Sequence, residues 1–320
     1  MLEISLDRAW AIYKRAWPFL LLRLAAGLTA ALASLSGLIL GAWLLESLAG
    51  RGGIFGAWGG LMGLWGAAFL ISRLRWRVRL AVGLPHAAAF NEGLQNSPLA
   101  QGEDQVAEAQ ALVAERFSGP VLLSDMDPHI RAAAGAVPGL IGGARLFITM
   151  RGLDGLAAVL TWLISLAMTP AVDLVYAYVV HLRAANPWQA ARQGLVLYGQ
   201  NSRRLIVNGM AAAAMIWSAT LLMLLILAPP MGGLFAAFPD SVSNWSLLGA
   251  VLFAWAIKSA FFDPFALAAL TPIFFRLAES QTPDPEWDRA LSEMSPAFRR
   301  IRNRAAGWNF EAAAFGETRG

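Results

Sequence analysis

Between Phe19 and Leu45 the chain carries a single charge, Arg23. About 20 apolar residues in a helix cross the roughly 30 Å of bilayer hydrocarbon, so a stretch this long and this apolar is built for lipid. Ile54 to Ser72 and the segments 155–181, 205–228 and 247–275 read in the same way. A sixth stretch, 134–150, is shorter and contains Arg145. Hydrophobic residues make up 57% of the 320 and charged residues only 14%, against about 25% charged in soluble domains. The expected fold is an all-α integral membrane protein with six transmembrane helices and interfacial amphipathic helices. The chain has no Cys, which excludes disulfides, thiolate metal sites and Cys nucleophiles.

The remaining segments organise around these runs. Residues 2–17 place Leu2, Leu6, Ala9, Trp10, Tyr13 and Trp17 on one helical face and Glu3, Asp7, Arg8, Lys14 and Arg15 on the other, the pattern of a helix lying in the headgroup layer. Pro18 fits the corner into the first span. Ala31-Leu32-Ala33 resembles a signal-peptide cleavage site, but the apolar run continues past it to Leu44, which favours an uncleaved span. Arg73, Arg75, Arg77 and Arg79 then alternate after the second run. The domain layout reads as 1–80, an interfacial helix plus the first transmembrane hairpin; 81–133, a cytoplasmic helical insert; 134–278, a four-span region; and 279–320, a basic cytoplasmic tail. Within the insert, 103–116 reads as a helix, and a second starts at Pro128, capped by Asp125 or Asp127. Residues 186–201 form another amphipathic segment, and Pro229-Pro230 ends the span that follows. The order of parts in 2–45 and 186–228 is alike, with poor residue identity.

Basic residues orient the spans, because short cytoplasmic loops hold the excess of Lys and Arg. With 134–150 crossing, 20 basic residues lie on the side of both termini and two, Arg51 and Arg151, on the other. Without it the split becomes 11 to 12 and the asymmetry vanishes. A re-entrant hairpin at 155–181, broken at Pro170, would give 22 to one, although each arm would be only about 20 Å long at 1.5 Å per residue. The expected location is a bacterial inner membrane with both termini cytoplasmic. At net charge +4 in so apolar a chain, basic loops facing anionic lipid are expected in place of nucleic-acid binding.

Two kinds of residue carry physical weight. Gly52, Gly56 and Gly60 recur every fourth position, with Gly59 and Gly63 one face along. Gly135, Gly139 and Gly143 repeat the step, as do Gly37 and Gly41. Such faces let helices approach closely in lipid, either within the chain or towards another subunit. Asp173, Lys258 and Asp263 are ionisable groups at membrane depth, each costing a few kcal/mol without a partner or water. Lys258 is expected to reach either carboxylate, Asp173 or Asp263, after modest tilt of the spans. Lys258 and Asp263 are five apart, about 140° around an ideal helix, so a direct pair within the helix is expected to be poor, and Pro264 relieves this by loosening its turn. A helix interrupted at Asp263-Pro264 and Pro272 is one way transporters build a midplane site; the alternative is an ion pair that fixes helix register. Tyr176, Tyr178 and His181 extend a polar track below Asp173 or form an interfacial belt. Ser124 to His129 lacks the second ligand cluster a metal site needs. No metal, cofactor or catalytic constellation is expected.

Asn186-Pro-Trp-Gln-Ala-Ala with Leu195 to Asn201, Lys258 to Ala266, and Thr282 to Asp288 together resemble a family of bacterial multi-pass inner-membrane proteins to which no activity is assigned. The resemblance covers roughly the C-terminal half and implies no function. The residues themselves favour a non-enzymatic scaffold or accessory subunit, partnered by the lipid bilayer and by a membrane or cytoplasmic protein, but by no nucleic acid. The alternative is a small-solute or ion transporter using Asp173, Lys258 and Asp263.

Overall fold

The computed structural model describes residues 2–49, 53–94, 103–117, 120–140, 170–182, 184–238 and 240–308. Among these every regular element is helical. In order they are α1 (Leu6–Arg15), α2 (Trp17–Ala49), α3 (Gly53–Val78), a π-turn (Arg79–Gly83), α4 (Leu84–Leu94), α5 (Glu103–Phe117), α6 (Pro120–Leu140), α7 (Ala171–Leu182), α8 (Pro187–Gln200), α9 (Ser202–Phe235), α10 (Asp240–Ser243), α11 (Ser246–Ile257), a second π-turn (Lys258–Phe262), α12 (Asp263–Glu279), α13 (Pro285–Met294) and α14 (Pro296–Ala306).

Four helices are long and apolar enough to cross a membrane: Trp17–Ala49, Ile54–Leu74, Ser202–Phe235 and the continuous Ser246–Glu279. Three of them run 33 or 34 residues, about 50 Å of helix, so they outreach the hydrocarbon and project into the headgroup layers. They are apolar all round, as lipid-embedded helices are. Several of their hydroxyls are turned back on the backbone. Ser34 and Thr29 donate to the carbonyls of Ala30 and Ala25 at 2.8 Å, and Thr220 to that of Ile216 at 2.7 Å, which lowers the cost of holding these groups in lipid.

The chain forms two compact units, each assembled from separated stretches. One comprises Phe19–Arg79 and Met215–Pro264. Its centre holds Leu35, Leu38 and Ala42 of α2 with Phe235 and Val242, and Leu64, Trp245, Leu248 and Leu252 pack around them. Gly249 accommodates the Phe235 ring, since a Cβ there would lie 2.9 Å from Cε2. The other unit comprises residues 1–18, 80–214 and 265–320. Around α7, whose residues from Ala171 to Val180 are buried except Asp173, it gathers α4 and α8; α6, α13 and α14 pack on α8.

Several expectations change. The helix expected to start at Pro128 starts at Pro120, and Asp125, Asp127 and Pro128 lie inside α6. A proline in a helix removes one backbone donor, a loss that α6 absorbs among the elements it packs on. Pro229-Pro230 does not end α9, which continues to Phe235. The segment 186–201 is not surface-bound: Trp188, Ala190, Ala191 and Leu195 to Gly199 of α8 are all buried. Of the expected third and fourth spans, 134–140 is the end of α6 and 171–182 is α7, too short by itself to cross; 141–169 lies outside the described residues.

Candidate functional site

Lys258 is the best-defined buried charge. Its side chain is 9% exposed, and its Nζ lies 2.5 Å from Oδ1 of Asp263. The expectation that a five-residue spacing makes a poor pair is corrected by the backbone between them. Residues Lys258–Phe262 form a π-turn, and the Asp263 N–H donates to the carbonyl of Lys258. An i→i+5 bond accommodates one more residue per turn than an α-helix, bringing positions five apart onto one face. Pro264 and Pro272 accompany the turn without breaking the helix, which continues to Glu279.

Two tryptophans complete the surroundings. The Lys258 ammonium sits 5.1 Å from the Trp217 ring centroid and 5.0 Å from that of Trp255. The two rings meet edge to face at 6.2 Å and 65°. Each ring offers a negative π-face to a cation within about 6 Å, so the ammonium has a carboxylate on one side and aromatic faces on two others. Sequence reasoning missed both tryptophans. Trp255 lies three residues before Lys258, an ordinary helical neighbour, and was open to discovery; Trp217 comes from α9 and was not.

Asp173 occupies the first turn of α7, in the unit that excludes Lys258 and Asp263. The carboxylate that Lys258 engages is Asp263. Tyr176 and Tyr178, expected as a track or belt, are core residues. Tyr176 is fully buried with its hydroxyl 3.4 Å from Oδ1 of Asp127, and Tyr178 meets Phe274 edge-on at 6.1 Å. His181 packs edge-on against Phe275 at 5.1 Å.

The glycine faces sort clearly. A Cβ built on Gly37, Gly41, Gly59 or Gly63 would collide with the backbone of the facing helix, Gly37 against Gly63 and Gly41 against Gly59. This is the close α2–α3 seam. Gly56 is buried in α3, while Gly60 meets only ordinary contacts at 3.5 Å from Leu38. A Cβ at Gly135 would meet nothing within 4 Å, and one at Gly139 would lie 3.3 Å from Sδ of Met294. Gly52 and Gly143 lie outside the described residues.

Two of the stretches that carried the family resemblance come together. Arg192 of α8 grips Asp288 of α13 with two hydrogen bonds of 2.7 and 2.8 Å, and this bond to the carboxylate raises the guanidinium pKa further. Gln200 and Asn201 donate to Oε1 of Gln281 at 2.7 and 2.8 Å, and the Asp284 N–H donates to Gln200 Oε1 at 3.0 Å. Gly199 lets the Trp287 ring approach to 3.0 Å of where a Cβ would be. At the other end of α8, Asn186 caps Gln189 N and donates to the carbonyl of Ala305 at 2.8 Å. The basic tail is engaged as well. Arg304 pairs with Asp125 at 3.5 Å and covers the Trp188 ring at 5.9 Å, and Arg299 donates to the carbonyl of Ser292 at 3.0 Å. Beside this contact His129 lies 4.0 Å from Asp125, and burial lowers its pKa below the ordinary value while Asp125 opposes the shift.

Among the described residues no group of His, Asp or Glu could hold a metal ion. No family model, curated protein or solved structure matches the chain, so the family resemblance rests on the three stretches themselves.

Proposed function

We propose that this chain is a non-enzymatic scaffold or accessory subunit of a bacterial inner membrane, anchored by four spans and carrying a helical platform on the side of both termini. The observation that carries the reading is the completeness of the Lys258 site. Asp263, Trp217 and Trp255 satisfy the ammonium from within one compact unit. A buried pair of this kind fixes helix register and needs no substrate to complete it. Part of the tail's polar chemistry is likewise spent inside the protein, in contacts between α8, α13 and α14.

Four spans are favoured over six by distance along α6. Gly139 lies against Met294 of α13, so a crossing at 134–150 would have to be made by about ten residues, or about 15 Å, half the hydrocarbon. With four spans every basic residue outside the apolar helices, save Arg51, falls on the side of the termini. That distribution supports a cytoplasmic side for the termini.

The π-turn favours a second reading, since single π-turns inside helices recur at functional sites. In it the protein is a transporter of a small solute or ion that exchanges with the Lys258–Asp263 pair. Replacing both residues together, Lys258→Met with Asp263→Asn, separates the two. A scaffold stays in the membrane and retains its partner in pull-downs from gently solubilised membranes. Loss of cellular function with membrane level and partner binding unchanged would overturn the scaffold in favour of transport. A strictly monomeric, partner-free wild-type protein would overturn it as well.

A further inference from the structure

Where α9 begins and α12 ends, two guanidinium groups share one carboxylate. Glu3 lies 3.8 Å from Nε of Arg204 through Oε1 and 3.7 Å from an Nη of Arg276 through Oε2. A direct charge-assisted bond would be about 2.7–2.9 Å, so Glu3 neutralises part of the charge without consuming the N–H donors. The arginine side chains stay 60% and 58% exposed. Among the described residues no other carboxylate pairs with either, and the cluster keeps one net positive charge. The arrangement is held in place: the Glu3 N–H donates to Oδ1 of the buried Asn208 at 2.7 Å, and Asn208 Nδ2 donates to the Arg204 carbonyl at 2.9 Å.

The apolar groups beside it say what the cluster faces. Helix α1 buries Ala9, Ile12 and Tyr13, and Tyr13 meets Phe265 edge-on at 5.6 Å. Yet Leu6 and Trp10 of α1, and Trp17 at the start of α2, are at least half exposed. An apolar, tryptophan-bearing face beside exposed basic residues, where two membrane-length helices terminate, suits the headgroup layer. We infer that Arg204 and Arg276, with α1 as their floor, bind the phosphodiester of an anionic phospholipid, whose single negative charge matches the excess of the cluster. This rests on the membrane reading above.

The test uses the full-length protein in nanodiscs of phosphatidylcholine with or without phosphatidylglycerol. Native mass spectrometry reads retained lipid, and thermal unfolding reads stabilisation. The wild type should retain phosphatidylglycerol selectively and unfold at a higher temperature in its presence. Replacing both arginines by Gln should weaken retention by roughly thirtyfold, given the usual contribution of two basic residues at an anionic surface. Glu3→Gln should strengthen it by removing the competing carboxylate, and this readout survives even if the double variant fails to fold. Glu3→Gln that only lowers the unfolding temperature would overturn the site by showing a structural ion pair alone. Equal stabilisation by inorganic phosphate would overturn the lipid assignment. A protein that resists alkaline carbonate extraction but shows no phosphatidylglycerol preference would overturn the site and leave the membrane reading standing. Release by carbonate would overturn both.

Discussion

Lys258 and Asp263 face each other across five residues because the helix between them is wound as a π-turn. The ion pair and the turn support one another. The wider winding aligns the two side chains, and their attraction offsets the cost of the poorer backbone geometry. The sign of the mutational effect follows from burial. Asp263→Asn leaves an almost fully buried ammonium with only aromatic faces, which should cost about 2–3 kcal/mol. The double change to Lys258→Met with Asp263→Asn should cost less than Asp263→Asn alone, since no isolated charge remains. Denaturant unfolding of the purified protein checks this, and strict additivity of the two single effects would refute the coupling.

The α2–α3 seam makes a second distinction among residues of one type. Gly41→Ala and Gly63→Ala each put a Cβ into the backbone of the facing helix, and overpacking of this kind costs about 1–3 kcal/mol. Gly66→Ala and Gly135→Ala fill open space and should be neutral or slightly stabilising, as Gly is a poor helix former. Thermal unfolding of the four variants in one detergent should divide them into two pairs.

How far these features were legible depends on whether local or tertiary physics decided them. Cap chemistry is local. Asp284 before Pro285, with acids in the first turn, reads as a helix start, and Asp284 indeed accepts from Glu286 N at 2.8 Å. The four membrane-length helices were visible as apolar runs for the same reason. Which glycine face is used is not local. Gly52, Gly56 and Gly60 form the longer repeat, but the seam uses Gly59 and Gly63 because α2 presents Gly37 and Gly41 to them. The π-turn has no composition of its own, so the spacing of Lys258 and Asp263 misled when laid on an ideal helix. Helix α8 looked amphipathic because Arg192, Gln189 and Gln200 mark a polar side, yet its Arg192 and Gln200 are spent on α13 and the residues before it.

The clamp between α8 and α13 predicts a graded response. Arg192→Lys keeps the charge but loses the two-pronged bond to Asp288, and Arg is not replaceable by Lys at such sites. With both side chains only partly buried, a loss of about 1 kcal/mol is expected. Limited proteolysis should then cut more readily in the connection between Glu279 and Asp284. Arg289→Lys, at an exposed pair with Glu293, should change nothing measurable.

His129 predicts a pH response. Its folded-state pKa lies below the ordinary 6.5 because burial disfavours the imidazolium, with Arg300 and Arg304 acting in the same direction and Asp125 against it. Between the lowered value and 6.5 the unfolded chain binds more protons than the folded one, so stability falls as pH drops through that window. His129→Gln should flatten the loss of stability below about pH 6.5, and an unchanged profile would show that another group titrates there.

The arrangement of α6 carries the topology. Its buried residues Met126, Ile130, Ala133, Ala134 and Val137 recur at three- and four-residue steps along one face, and the face continues to Gly139 beneath Met294. Residues packed on the tail helices cannot at the same time cross hydrocarbon, and the ten residues that follow to 150 are too few at 1.5 Å each. A reporter fused after residue 152 should therefore read as cytoplasmic, like one at either terminus, while a reporter after Arg51 should read as external. An external signal at 152 would restore six spans and require the contact between Gly139 and Met294 to open in the membrane. Cysteine accessibility offers an independent check in a chain that has no Cys of its own. Arg151→Cys should be shielded from an impermeant thiol reagent added to whole cells, and Arg51→Cys should be labelled.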